Sequence, residues 1–341
     1  MTAVDTAPKG QEQRRQSSRS SLWRVLTGPK ADITMVLAAM VVIFAAIDAR
    51  AFFNSYNIWN IFIGASLLLV MAVGATFVLI TGGVDLSVGS VLVFSGVVSA
   101  KVMIALGPEG WGASIIGILV SVAAGAAWGV INGIVVTKLR VPALIATLGS
   151  YGAAQGLAQV ISNGNDAKDV PPELVDTLGV GRLAGVPWLV VVALLVSLVG
   201  GLVLAFTRFG RRTYTIGSNA EAARRVGIRV DRHLISVYSI AGSLAGLAGI
   251  MSYSQYGSTT LAGHATDNLS VIAAVVIGGT SLFGGIGTVF GTVVGVLIPA
   301  VLANGLVIAG LNSFWRDTAV GVVLVVAVYL DQWRRRRRPG T

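Results

Sequence analysis

Apolar residues run in long blocks along this chain, and polar residues collect in the gaps between them. Ten blocks stand out: 32–49, 58–80, 86–105, 113–136, 142–161, 187–207, 233–254, 268–282, 286–309 and 317–331. A helix needs about 20 apolar residues to cross the hydrocarbon core of a bilayer. The pattern predicts an all-α polytopic membrane protein of about ten transmembrane helices. Eight spans with re-entrant pieces fit the same pattern. Several blocks are interrupted by some of the 43 glycines, so some helices are expected to be discontinuous. Other small residues recur at helical spacing, among them Gly125 and Gly129, Gly242 and Gly246, and Gly287, Gly291 and Gly295. For most of these, close helix packing is the better reading, because small side chains let backbones approach in lipid.

Composition agrees. Of 341 residues, 54% are hydrophobic and 12% charged, against about 25% charged in soluble domains. So few charges cannot cover a water-facing surface. The net charge of +10 is concentrated in particular gaps: Arg14, Arg15, Arg19, Arg24 and Lys30 before the first block, Lys138 and Arg140 after the fourth, 208–232 after the sixth, and Arg334–Arg338 after the tenth. All of these gaps fall on one side when ten spans are drawn, and an even count puts both termini there. The positive-inside rule makes that side the cytoplasm. The longest gap opposite, 162–186, carries Asp166, Asp169, Glu173 and Asp176 against Lys168 and Arg182. The expected organisation is therefore a basic tail at 1–30, a transmembrane domain at 31–331 and a second basic tail at 332–341. The first tail is too long and polar for a cleaved signal peptide. Basic runs without interleaved aromatics argue against nucleic acid as a partner. The absence of cysteine removes disulfides, thiolate chemistry and cysteine metal sites.

The polar insert Arg208–Arg232 is the least expected segment, because it contains a helical pattern, Ala220–Arg225. Fixing topology requires the arginines but not a helix. A helix held at the inner surface suits contact with another protein.

Two glycine-rich breaks share the pattern Gly-Gly-x-x-Leu-x-x-Gly: Gly82–Gly89 and Gly278–Gly285. Irregular backbone at membrane depth is tolerated where it is buried in protein or lines an aqueous cavity. Paired broken segments in the two parts of a chain point to a translocation site, with parallel and inverted repeats both open. Asp85 lies inside the first break. An ionisable group there marks a pathway or gate, or it caps the next helix by accepting N–H groups near Ser87 and Val88; the two roles are compatible. The candidate pathway residues are Gly82, Gly83, Asp85, Ser87, Gly89, Asn132, Gln155, Gly278, Gly279 and Asn304. Thr76, Ser90, Thr147, Ser150 and Gln159 complete the polar set within the blocks. Such neutral groups suit a hydroxyl-rich solute better than an ion, and each can equally join two helices. No G-x-x-x-x-G-K-[ST] loop, H-E-x-x-H motif or plausible Ser-His-Asp set is present. The expectation is a non-enzymatic transport subunit driven by another protein.

Four motifs in order carry a family resemblance: ITGGVDLSVGS at 80–90, Asn132-Gly133 with VPALIATLGS up to 150, TYTIGSNAEAARRVGI at 213–228, and IAAVVIGGTSLFGG at 272–285. Over about Asn54–Asp331 the chain resembles the membrane permease subunits of bacterial ABC importers for ribose, xylose and related sugars. The resemblance implies a homodimer in the inner membrane, two ATP-binding subunits with P-loops inside, and a periplasmic or lipid-anchored sugar-binding protein outside. ATP and magnesium would then sit on the partner and no cofactor on this chain. It also implies that Gly217, Ser218, Asn219, Ala220, Glu221, Ala222 and Ala223 form the helix that docks into the ATPase, flanked by Arg211, Arg212 and Gly227, with Ser218 or Asn219 as its N-cap. The chain departs from the family in lacking a phenylalanine near Ala143, an arginine near Gln155 and a Glu-Leu pair in 266–270. These departures bear on which sugar is carried. A stand-alone secondary sugar transporter or facilitator is the alternative.

Overall fold

The structure is a computed structural model that describes residues 29–107, 110–169, 171–264 and 266–312, with isolated positions beyond. The expected tails, apart from Pro29 and Lys30, lie outside the described residues, as does most of the run at 317–331. Eleven helices carry the architecture: α1 Pro29–Ile47, α2 Ser55–Ile80, α3 Val88–Leu106, α4 Trp111–Thr137, α5 Ala143–Ser162, α6 Trp188–Phe206, α7 Arg208–Ser218, α8 Ala220–Arg225, α9 Val230–Tyr256, α10 Asp267–Ile277 and α11 Val289–Ile308. Six of them (α2, α3, α4, α6, α9 and α11) are long and apolar enough to cross a membrane. This is a polytopic helical membrane protein.

Eight of the ten apolar blocks become helices close to the expected bounds, and the tenth lies mostly outside the described residues. Block 268–282 is the main difference. Its helix, α10, stops after 11 residues, about 16 Å at 1.5 Å per residue and roughly half of a hydrocarbon core. Ahead of it, 257–264 folds back into the molecule, with Thr259 and His264 buried. Asn268 Nδ2 at the start of α10 donates to the Leu86 carbonyl (3.0 Å) in the first glycine-rich break.

α2 is the central helix. From Ala65 to Ile80 every residue is buried, as expected for a helix apolar on all sides. α9, α11, α6 and α10 pack around it, and α4 packs along α9 in the most extensive pairing. The α4–α9 seam is made of small residues. Ser121 Oγ donates to the Gly246 carbonyl (2.7 Å), and a methyl group at Gly125 would strike the carbonyl of Gly242. Close approach lets dispersion and hydrogen bonding hold helices that gain little hydrophobic energy in lipid.

The gaps sort by charge at the two ends. At one end, Asp231 pairs with Lys138 (3.1 Å) after α4 and with Arg224 (3.2 Å) in the insert. Ile33 of α1 lies near Gly279 at that same end. At the other end, the acidic gap forms a π-helical turn at Val175–Val180 and a hairpin of β1 Arg182–Leu183 with β2 Val186–Pro187. Asp166 there accepts from the Leu261 N–H (2.9 Å), and Glu173 accepts from the Gly110 N–H (3.0 Å).

Candidate functional site: a three-way junction under two broken helices

The insert folds as two helices rather than one. α7 is capped by Thr207, whose Oγ1 accepts from the Gly210 N–H (3.2 Å). It buries Gly210, Thr213 and Ile216 and exposes Arg208, Arg211, Thr215 and Ser218. α8 has the bounds the pattern implied. Asn219 is its N-cap, accepting from the Ala222 N–H (2.9 Å), a contact worth roughly 1 kcal/mol. A helix of six residues cannot persist on propensity alone. α8 is anchored by Ala223, which is buried in a small cluster with Ile216 and Val230. It ends at Gly227, which adopts φ +82° and whose N–H donates to the Arg224 carbonyl (3.0 Å).

α7 reaches both glycine-rich breaks. The Gly285 N–H donates to the Ile80 carbonyl (2.8 Å), which joins the end of α2 to the second break. A Cβ on Gly217 would collide with that same Ile80 carbonyl and lie 2.6 Å from Gly285 N. A Cβ on Gly284 would lie 2.8 Å from the Gly217 carbonyl and 2.9 Å from Gly82 N. Gly82 and Gly284 also hold positive φ, +79° and +85°, which disfavours any side chain there. Three backbones thus meet, with no room for a methyl group at Gly217 or Gly284. Tyr214 of α7 extends the contact, donating from its hydroxyl to the Gly287 carbonyl (2.7 Å). Burial raises the Tyr214 pKa and keeps it a neutral donor. α2 and α10 both run into their breaks at this junction, so the two stretches approach it from the same side.

The first break is satisfied by side chains from the surrounding helices. The Val84 carbonyl accepts from Tyr238 Oη of α9 (3.4 Å) and Thr147 Oγ1 of α5 (3.3 Å), and the Leu86 carbonyl accepts from Asn268. Asp85 is 3% exposed. Its Oδ1 accepts from the Ser87 N–H (2.8 Å) and Ser87 Oγ–H (2.6 Å), and Asn132 Nδ2 donates to Ser87 Oγ (2.8 Å). Asp85, Ser87 and Asn132 thus form one buried chain at the start of α3, in which Ser87 is the N-cap residue and Asp85 bonds Ser87, not an N–H of the helix itself. Gly83 lies against the Tyr238 hydroxyl and Gly89 against the His264 carbonyl, each 2.8 Å from an added Cβ.

The remaining pathway candidates are more dispersed. Gln155 Nε2 donates to the Leu261 carbonyl (2.7 Å), tying α5 to the re-entrant segment. Gly278 packs on Gly291, and Gly279 has φ +86° at the end of α10. Asn304 Nδ2 donates to Asn57 Oδ1 (2.7 Å), joining α11 to the start of α2, away from both breaks. Of the insert candidates, Gly217 and Ala223 face inward, and Ala220 is half-buried. Arg211, Arg212, Ser218, Asn219, Glu221, Ala222 and Gly227 are exposed. Glu221 meets Arg225 one turn on (2.6 Å).

One arrangement was not legible in the sequence, where no Ser-His-Asp set was expected. Ser252 Oγ lies 2.7 Å from His264 Nε2, and His264 Nδ1 lies 2.6 Å from Asp267 Oδ2. The fold-back of 257–264 brings the three together. Ser252 and His264 are 3% and 6% exposed, so the set pins this segment to α9 and α10 rather than presenting a nucleophile.

The class follows from this architecture: a bundle of membrane helices with two broken segments, gripped from one end by a polar helical insert, is a transport permease. Residues 57–328 match the family described as branched-chain amino acid transport system / permease component, and the chain belongs to that family. It is not an enzyme. It is 38% identical over 300 residues to the ribose import permease of Escherichia coli strain K12, covering 86% of this chain and 92% of that protein. It is 35% identical over 298 residues to the D-allose transport system permease of the same organism (87% and 90% covered) and 33% identical over 323 residues to the L-arabinose ABC transporter permease of Azospirillum brasilense (94% and 92%). No solved structure matches the chain.

Proposed function

We propose that this chain is the membrane-spanning subunit of an ATP-driven importer that carries a monosaccharide or related polyol across the bacterial inner membrane. It has ten spans with both termini in the cytoplasm, works as a homodimer, receives sugar from an external binding protein and is driven by a separate ATP-binding subunit that holds ATP and magnesium. The observation that carries this reading is the double use of the insert. α7 is fitted into both glycine-rich breaks, while α8 turns Glu221, Ala222 and Arg225 outward, exposed. A rigid arm with a free outer end is suited to passing motion from a soluble partner to the breaks. Similarity to permeases named for ribose, allose and arabinose supports a sugar as cargo.

In the cycle we infer, the partner ATPases close on ATP and move α8. α7 moves with it, and the Gly82–Ser90 and Gly278–Gly285 segments shift against each other, so that packed helices rock between outward-open and inward-open arrangements. The Asp85–Ser87–Asn132 chain keeps the start of α3 intact during that movement.

Reconstitution tests this reading. Proteoliposomes containing the permease, its ATPase and the binding protein should take up sugar only with ATP. Permease alone should be inactive. Sugar movement by the isolated permease, down a gradient or against one coupled to an ion, would overturn the proposal in favour of a stand-alone carrier.

A further inference from the structure

Beside the junction, between α7 and the start of α9, lies a cavity of ≈ 520 Å³ bordered by Phe209, Arg212, Arg229, Arg232, His233 and Ser236. Three guanidinium groups border it. Among the described residues, no carboxylate pairs with any of them, because Asp231 is taken by Lys138 and Arg224 and Glu221 by Arg225. Thr213 Oγ1 lies 2.8 Å from His233 Nε2, and the Phe209 ring lies 4.3 Å from the imidazole, so these side chains form a fixed wall. The position is specific as well as the charge. Arg212 is one turn past the end of α6 at Phe206, and Arg229 and Arg232 sit where α9 begins. Beyond the arginines, Ile240, Leu244 and Leu247 lie half-buried further along α9.

We propose that this cavity holds the phosphate of an anionic phospholipid from the inner leaflet. Arginine forks suit phosphate oxygens, and basic pockets between membrane helices on the cytoplasmic side hold acidic headgroups. Arg229 and Arg232 lie at the start of the apolar helix α9 and Arg212 on the adjoining α7, a placement that suits a headgroup, and the apolar residues along α9 suit an acyl chain. A free phosphate would leave that apolar surface unused. An acidic segment of the ATPase would be expected on the outer face of α8, further from the membrane. The inference rests on the reading that the insert faces the cytoplasm. Lipid retention is measured without sugar transport, so either claim can fail while the other stands.

The test uses the full chain in vesicles of phosphatidylglycerol and phosphatidylcholine. Native mass spectrometry should find phosphatidylglycerol retained in preference. Arg229→Gln with Arg232→Gln should lower that preference by about tenfold or more, with helix content unchanged, while the Arg229→Lys and Arg232→Lys pair should keep most of it. Arginine-directed labelling of these positions should be blocked by phosphatidylglycerol and not by inorganic phosphate in phosphatidylcholine. Equal retention by wild type and the Gln pair would overturn the proposal. So would equal protection by inorganic phosphate, which points to a free-anion site, or protection that appears only with the ATPase subunit, which points to an acidic protein segment.

Discussion

The two helices of the insert are adjacent in sequence and opposite in environment. α7 buries a face made of Gly210, Thr213, Ile216 and half of Gly217, and a methyl group at position 217 has nowhere to go. α8 buries only Ala223 and turns Glu221, Ala222, Arg224 and Arg225 to solvent. The difference shows how a motion can be passed on: one part must be too tightly packed to slip, and the other must be free to be gripped. Stability should therefore depend on α7 and coupling on α8.

The strongest challenge to that division is Gly217→Val. Its side chain would wedge α7 away from Ile80 and Gly285. Overpacking at a site that cannot relax should cost about 3 kcal/mol or more, read as a lower melting midpoint in detergent and a loss of uptake. A variant that folds and transports normally would show that the close approach is dispensable. Next in size, Glu221→Lys combined with Ala222→Asp should leave the midpoint within about 0.5 kcal/mol of wild type, as exposed substitutions do. Uptake should fall by roughly tenfold or more while the assembled ATPase still hydrolyses ATP. Uptake at the wild-type rate would remove α8 from the coupling path.

Asp85→Asn probes the break itself and should act more mildly. The amide oxygen can still accept from the Ser87 N–H, but the side chain gains an amide N–H₂ that must find acceptors in the buried break. Uptake is expected to drop several-fold with assembly little affected; an unaltered uptake rate would reduce Asp85 to a structural role. Arg225→Gln should have the smallest effect. It removes an exposed ion pair to Glu221 with side chains 77% and 74% accessible, a contact worth roughly 0.3–0.5 kcal/mol at most. A large loss of stability would mean that α8 is held by its surface charges and not by Ala223.

Much of the architecture was readable because lipid imposes a simple rule. Each long apolar block must become a helix, and the nine within the described residues did. α8 and its Asn219 cap were readable because capping and helix propensity are local. The breaks were readable as breaks because paired glycines cannot sustain a regular helix at that depth. α10 misled the pattern, since its apolar character runs on to Leu282 while its helix stops at Ile277. The Ser252–His264–Asp267 set was invisible because Ser252 and His264, 12 positions apart, meet only through the fold-back of 257–264.

The sequence by itself determined which described segments become apolar helices, which gaps carry the positive charge and that glycine-rich breaks follow α2 and α10, because hydropathy, charge and glycine conformation act over a few residues. The tertiary structure alone decided that Gly82, Gly217 and Gly284 form one junction, that Asp85 is bonded to Ser87 and through it to Asn132, and that Asn304 joins α11 to α2 through Asn57. Those outcomes depend on which backbones come within contact distance of each other. No periodicity along a single chain encodes that distance.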